Sequence, residues 1–431
     1  MSLGKQALKS LCSSPWLLLG YFMSFAFQIL QLKYSSDLVI EHSSLIISFI
    51  LVASSIAQCG MPAKAYYDYV NNVNVSDKAF TNQISAYLSS LFFVTGVLSI
   101  STVFLLIISS SHLSFSHSTP IYIFSAIYFA MLPFNQFYAG MYYAQGKANI
   151  VSIFILLEPL FRFILLLSIL TTHGSLSTIN IVLIYSLSSV LQFCFSCFFD
   201  SEYRKLIIRS IKTAGFHDFA RHLKVACKCW PYGMQQLISN FSEQLPTIVV
   251  ATTMLPGASA YFVLLSRISS LASVLPTHLI KLSLSSVPQS IIAHIMKPNF
   301  YILRHPIFSI VAGAMLSISI AAWIALTFIA PVDLSVIPAL LTSVLVAVVV
   351  LLRIWYLLID AQFARMLMPT KSALARAYAV IISLSIFLAL RYCLRDFQSI
   401  NQSFFLLGFL FILLSATPII LIVFRHSLPQ P

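Results

Sequence analysis

Runs of about 20 apolar residues, broken only by short polar stretches, recur along almost the whole of this chain. An α-helix of that length rises about 30 Å, the thickness of the hydrocarbon core of a bilayer, and it satisfies its own backbone hydrogen bonds there. Such runs dictate an all-α polytopic membrane protein. Only 9% of the 431 residues are charged and 59% are hydrophobic, too little charged surface for a soluble chain of this size. The spacing predicts spans near residues 14–33, 37–59, 83–110, 119–144, 148–171, 178–199, 229–253, 258–281, 302–330, 334–358, 373–391 and 401–424. That makes about twelve transmembrane helices. Lys5 and Lys9 precede the first run as in a signal peptide, but the run is too long and lacks a small-residue cleavage site, so it reads as the first span.

The charges are not spread evenly. Residues 200–228 carry seven basic side chains (Arg204, Lys205, Arg209, Lys212, Arg221, Lys224, Lys228) and three acidic ones (Asp200, Glu202, Asp218). This stretch divides the chain into an N-terminal six-helix lobe (1–199), a basic connector (200–228) and a C-terminal six-helix lobe (229–431). Each half opens alike, with a span, a tight turn and a second span: Leu17–Leu32 then Asp37–Cys59, and Tyr232–Met254 then Ala258–Lys281. Such doubling implies two lobes around a central cavity.

With a cytoplasmic N-terminus, twenty of the twenty-five lysines and arginines fall on the inward side. Lys33, Arg391 and Arg395 face outward, and Arg162 and Arg267 lie within spans. This positive-inside bias makes the connector and both termini cytoplasmic. It also accounts for the net charge of +13 without nucleic acid as a partner, since no basic stripe with interleaved aromatics exists outside the connector. The seven cysteines, including Cys194-x-x-Cys197, lie mostly in or beside apolar runs and predict no disulfide framework.

A charge near the bilayer centre costs about 2.5–3.5 kcal/mol on insertion scales, so those present need a partner or a wet cavity. Glu158 and Arg162 are four residues apart on one helix face. Two readings are open: an ion pair that neutralises itself, or cavity lining. Glu243 and Arg267 fall at comparable depth on neighbouring spans, where they can pair. Around Glu243, the residues Gln236, Asn240 and Gln244 form a polar stripe that suits either a hydrophilic substrate or helix–helix hydrogen bonding. Lys281 and Arg353, near cytoplasmic span ends, either snorkel to the interface or attract an anionic head group. Gln136, beside Asn135 and several tyrosines, has the chemistry to hydrogen-bond sugars.

No catalytic signature accompanies these groups. Gly140…Gly146-Lys147 has the wrong spacing for a phosphate-binding loop, and no zinc-protease motif, nucleophile elbow or dinucleotide fingerprint is present. The outward loops, such as Ser111–Thr119 and Thr172–Ser177, are too short for a folded active site. The sequence therefore predicts a protein that is not an enzyme and that uses no cofactor and no metal.

Three segments resemble the Wzx-type O-antigen flippases, polysaccharide transporters of the multidrug/oligosaccharidyl-lipid/polysaccharide flippase superfamily. Ala53–Val70 (ASSIAQCGMPAKAYYDYV) is similar to the end of that family's second span. Gln136–Asn149 (QFYAGMYYAQGKAN) is similar to its aromatic fourth-span exit, and Pro231–Leu275 to its seventh and eighth spans, with the turn Leu255-Pro256-Gly257-Ala258. The chain departs from the pattern at Thr247, where members often carry an acidic residue; Glu243 lies one turn earlier.

The resemblance implies a flippase that moves an undecaprenyl-pyrophosphate-linked oligosaccharide, the O-antigen repeat unit, from the cytoplasmic to the periplasmic face of the bacterial inner membrane by alternating access. It implies Arg162, Arg267, Lys281 and Arg353 as contacts for the pyrophosphate, with Gln136, Gln236 and Asn240 for the sugars. Glu158 and Glu243 would couple the cycle to protons or sodium ions. The lipid bilayer, the polysaccharide polymerase and the chain-length machinery are the implied partners. A multidrug/cation antiporter of the same superfamily and a membrane O-antigen polymerase are the alternatives.

Overall fold

The computed structural model describes residues 15–71, 77–110, 119–253, 344 and 369–393. Among them the chain is helical: α1 Pro15–Tyr34, α2 Asp37–Gln58, α3 Met61–Asn71, α4 Asp77–Ser110, α5 Thr119–Ala144, α6 Ala148–His173, α7 Thr178–Phe199, α8 Ser201–Thr213, a 3-10 turn at Phe216–Asp218, α9 Phe219–Thr253 and α10 Pro369–Cys393. Five of these helices contain stretches long and apolar enough to cross a membrane: α1, α2, α4 (Thr81–Ser101), α6 (Asn149–His173) and α7. The protein is a multi-pass membrane protein of about twelve helices in two six-helix lobes. The expected spans 258–281, 302–330, 334–358 and 401–424 lie outside the described residues.

Local chemistry sets the breaks. Cys59 (φ 46°) and Gly60 (φ 75°) both adopt left-handed backbone, which stops α2 and redirects the chain into α3. Gly174 (φ 69°) ends α6 in the same way, its amide bonded to the Leu170 carbonyl. At the start of α8, the Asp200 carboxylate accepts from the amides of Glu202 and Tyr203 at 3.0 and 2.9 Å, an N-cap at the point where the chain leaves the seventh helix. Pro133 in α5 and Pro159 in α6 are carried inside their helices.

Two differences from the expected spans share one cause. Most of residues 200–228 are helical, as α8, the 3-10 turn and the first ten residues of α9, so the helix of the expected seventh span, α9, begins at Phe219 rather than near 229. The short helix α3 occupies what reads as a polar break, and α4 begins at Asp77 rather than near 83. Helices lying outside the hydrocarbon carry polar residues, so the length of an apolar run does not register them.

The packing orders these helices around two buried clusters. One brings Met61, Tyr66, Leu88, Leu91, Phe137, Tyr138 and Tyr203 together; the other gathers Phe27, Ile47, Leu132, Leu166, Ile181 and Tyr185. α1 packs along α6, α5 along α7, and α9 along both α2 and α10. In the order of the spans that the sequence predicts, α1 and α6 are the first and fifth, while α9 and α10 are the seventh and eleventh. An offset of six spans therefore carries one helix pair onto the other. For this one helix pair in each half, the packing follows the offset that the expected repeat gives.

Candidate functional site

The line where α9 meets α2 and α5 is the polar seam of the molecule, built by residue spacing. Gln236, Asn240 and Gln244 recur every four residues and so line one face of α9. Opposite them, running antiparallel, α2 presents Gln58, Ser55 and Ser48. The Gln236 amide donates to the side-chain oxygens of Gln58 (2.5 Å) and of Gln136 on α5 (2.8 Å). Asn240 donates to the Ser55 hydroxyl (2.6 Å), and the Ser48 hydroxyl donates to Gln244 (2.9 Å). The ladder runs from the middle of α2 to its C-terminal end. Every rung is an amide or a hydroxyl and none carries a charge.

At the C-terminal end of α2 the seam closes backbone to backbone. A Cβ placed on Gly60 would come within 2.6 Å of the Tyr232 carbonyl carbon and 2.7 Å of the Cys229 oxygen. One on Gly233 would come within 2.7 Å of the Cys59 carbonyl carbon. Beside this contact, Tyr232 of α9 stacks on Tyr67 of α3 (5.7 Å between centroids), and the Lys64 ammonium lies 5.6 Å above the same Tyr232 ring. Lys64 pairs with Asp68, whose carboxylate also accepts from Gln83 (2.7 Å) and from the Tyr87 hydroxyl (2.6 Å) of α4. Asp68 is buried, and it joins α3, α4 and, through Lys64, α9.

Deeper in the N-terminal half, Glu158 and Arg162 form an ion pair on α6. The Arg162 guanidinium lies 4.0 Å from the Tyr185 ring centroid of α7, and its Nη2 reaches the Tyr128 hydroxyl of α5 at 3.4 Å. Tyr128 and Tyr185 themselves meet edge to face at 5.7 Å. The pair is thus enclosed by aromatic rings from two other helices, with 15% and 22% of the two side chains exposed. Nearby, Asn135 of α5 donates to the Ser189 hydroxyl (2.9 Å) and carbonyl (3.1 Å) of α7.

The structure therefore brings Gln136, Gln236 and Asn240 together on one seam and places Glu158 with Arg162 apart from it, in the interior of the first half. Glu243 sits half-buried on α9, one residue before Gln244. Arg267, Lys281 and Arg353 lie outside the described residues, as does the expected pairing of Glu243 with Arg267. Sequence reasoning missed the Asp68 cluster; its signal was the four-residue spacing of Lys64 with Asp68 and of Gln83 with Tyr87. The enclosure of Arg162 by Tyr128 and Tyr185 left no such local signal, because its members come from separate helices.

No family model matches the chain, and no curated protein matches it. Solved structures do. An outward-facing multidrug resistance MATE family transporter of the MOP superfamily matches over 98% of this chain and 96% of its own, with a TM-score of 0.66 at 12% identity. The eukaryotic MATE transporter AtDTX14 matches over 99% and 97%, with a TM-score of 0.61 at 12% identity. The chain has the MATE fold. A MOP superfamily transporter from Pyrococcus furiosus, described by a binding pocket of reversed polarity and a different function, shares that fold over 98% and 96% of the two chains (TM-score 0.59, 13% identity). The proteins with which this chain shares the MATE fold are transporters.

Proposed function

We propose that the protein is a flippase that carries an undecaprenyl-pyrophosphate-linked oligosaccharide from the cytoplasmic to the periplasmic face of the inner membrane by alternating access. The MATE fold supports transport between two lobes. The observation that carries the choice of substrate is the uncharged ladder Ser48–Gln244, Ser55–Asn240 and Gln58–Gln236–Gln136 at the contact of the two halves. When the halves part, these amides and hydroxyls become donors and acceptors without net charge, the chemistry of a sugar-binding wall rather than of a cation trap. The two ion-paired carboxylates of the described N-terminal half fit the same reading: Glu158 is matched by Arg162 and Asp68 by Lys64, so neither offers net negative charge to an organic cation. In this reading Arg162, with Arg267, Lys281 and Arg353, meets the pyrophosphate. Glu158 and Glu243 are the positions for ion coupling, and the polyprenyl tail stays in lipid.

The second reading is a multidrug/cation antiporter, and the MATE structures that share the fold favour it. One experiment separates the two. In a deletion strain of the native host, lipid-linked repeat units are assayed for amount and membrane side, together with surface polysaccharide. Units trapped on the cytoplasmic face, with surface chains lost, support the flippase. Units accumulating on the outer face point to a polymerase. Normal surface chains together with increased drug sensitivity reject both in favour of the antiporter.

A further inference from the structure

The geometry points to a second binding surface, one for anionic phospholipid head groups of the cytoplasmic leaflet, formed by the outward faces of α8 and of the first ten residues of α9. The inward face of α8 is fixed to the lobe. Tyr203 is fully buried with its hydroxyl donating to the Phe134 carbonyl at 3.2 Å, and Ile207 and Ser210 are buried beside it. Thr213 reaches the Ser89 hydroxyl at 2.6 Å. At 100° per residue the opposite face then presents Arg204, Lys205, Arg209 and Lys212 with Ile208 and Ile211 among them, 48% and 55% exposed. The start of α9 repeats the pattern. His222, Ala226 and Cys229 face in, whereas Arg221, Lys224 and Lys228 face out beside Phe219 and Leu223, 51% and 52% exposed.

Three observations identify the occupant. All seven cations of the connector are exposed, and none has a carboxylate within salt-bridge distance among the described residues. The surface begins where the span-length apolar helix α7 ends, at Phe198 and Phe199 (73% and 68% exposed), a position that suits head-group level. Isoleucine, phenylalanine and leucine set among lysines and arginines suit a lipid interface, with apolar side chains at the acyl boundary and cations at the phosphates. A soluble acidic partner would match the charge but leave those side chains unaccounted for. The inference is independent of the transported substrate.

The test uses the full-length protein in a neutral detergent. Phosphatidylglycerol or phosphatidylcholine is titrated in, and bound lipid is counted by native mass spectrometry with the thermal midpoint recorded in parallel. The variant is the triple substitution Arg204→Gln, Lys205→Gln and Lys212→Gln, and Ile211→Ser serves as a second variant that keeps all charge. Each cation near an anionic surface is worth about fivefold in binding at low salt, so the triple variant should bind phosphatidylglycerol roughly 100-fold more weakly. The wild-type preference should fade as salt is raised, and Ile211→Ser should weaken binding without removing the salt dependence. Equal binding of the two lipids by the wild type overturns the proposal. So does a triple variant that keeps its phosphatidylglycerol affinity but loses a co-purifying protein, which would make this surface a protein-docking site.

Discussion

Gly60, in the turn between α2 and α3, and Gly233, in α9, meet backbone to backbone, and a side chain on either would stand inside van der Waals distance of the other segment. The contact fastens the seam at the C-terminal end of α2 and sets the register of the ladder beside it. Gly233→Ala pushes Cys59 away and should destabilise the protein by about 1–3 kcal/mol, the usual cost of overpacking. Gly60→Ala adds a left-handed backbone to the clash and should be worse by about another 1 kcal/mol. The midpoint of thermal unfolding in detergent checks both. An unchanged midpoint for Gly233→Ala would mean that the two backbones are not in contact.

Transport by alternating access requires the ladder to open. Ser55 and Asn240, 2.6 Å apart, are the rung to lock. In a background with the native cysteines replaced, the pair Ser55→Cys and Asn240→Cys should crosslink on oxidation. Transport should then stop and return on reduction. Full activity in the oxidised state would show that the seam stays closed throughout the cycle.

The Glu158–Arg162 pair should show strong coupling. Arg162→Met leaves a carboxylate enclosed by protein and should cost ~3 kcal/mol. Adding Glu158→Gln should recover most of that loss, and a double-mutant cycle on unfolding reads the difference. If transport remains lost in the stable double variant, the pair acts on substrate or ion. If transport returns with stability, the pair is structural.

His222 lies in the first turn of α9, ahead of the expected span 229–253. It is buried against the Ser90 hydroxyl (3.1 Å) and stacked on Phe93 (5.1 Å). Burial lowers its pKa below the ordinary 6.5, while Asp218 opposes the shift. The unfolded chain therefore takes up the proton more readily than the folded one, so the stability from neutral His222 is complete above pH 6.5 and is lost as pH falls through the folded value. Thermal midpoints across mildly acidic pH should decline in the wild type and decline less in His222→Phe.

Much of this architecture was legible in the sequence because a bilayer makes hydropathy almost a ruler. The expected spans 37–59, 119–144 and 178–199 and the helices α2, α5 and α7 differ by at most one residue at either end. What escaped is what hydropathy does not measure. The helix at Ser201–Thr213 reads as a charged break, because its buried face is only Tyr203, Ile207 and Ser210. The amides at 236 and 240 were visible as a stripe, but whether they faced water or another helix depended on Ser55, Gln58 and Gln136, more than 90 residues away. The aromatic partners of Arg162, Tyr128 and Tyr185, are closer in sequence but lie on other helices.

The ladder also bears on how the chain is made. Seen from α9 alone, Gln235, Gln236, Asn240, Glu243 and Gln244 make a segment that resists partitioning into lipid. The hydrogen-bonding partners of Gln236, Asn240 and Gln244 on α2 and α5 are synthesised earlier. α9 should therefore enter the bilayer more favourably against a first half already in place, so that biogenesis of this protein would be templated from the N-terminal side. Truncation after Lys228 should leave a half that still inserts, whereas the second half expressed alone should fail to place its first span until the missing half is supplied in trans.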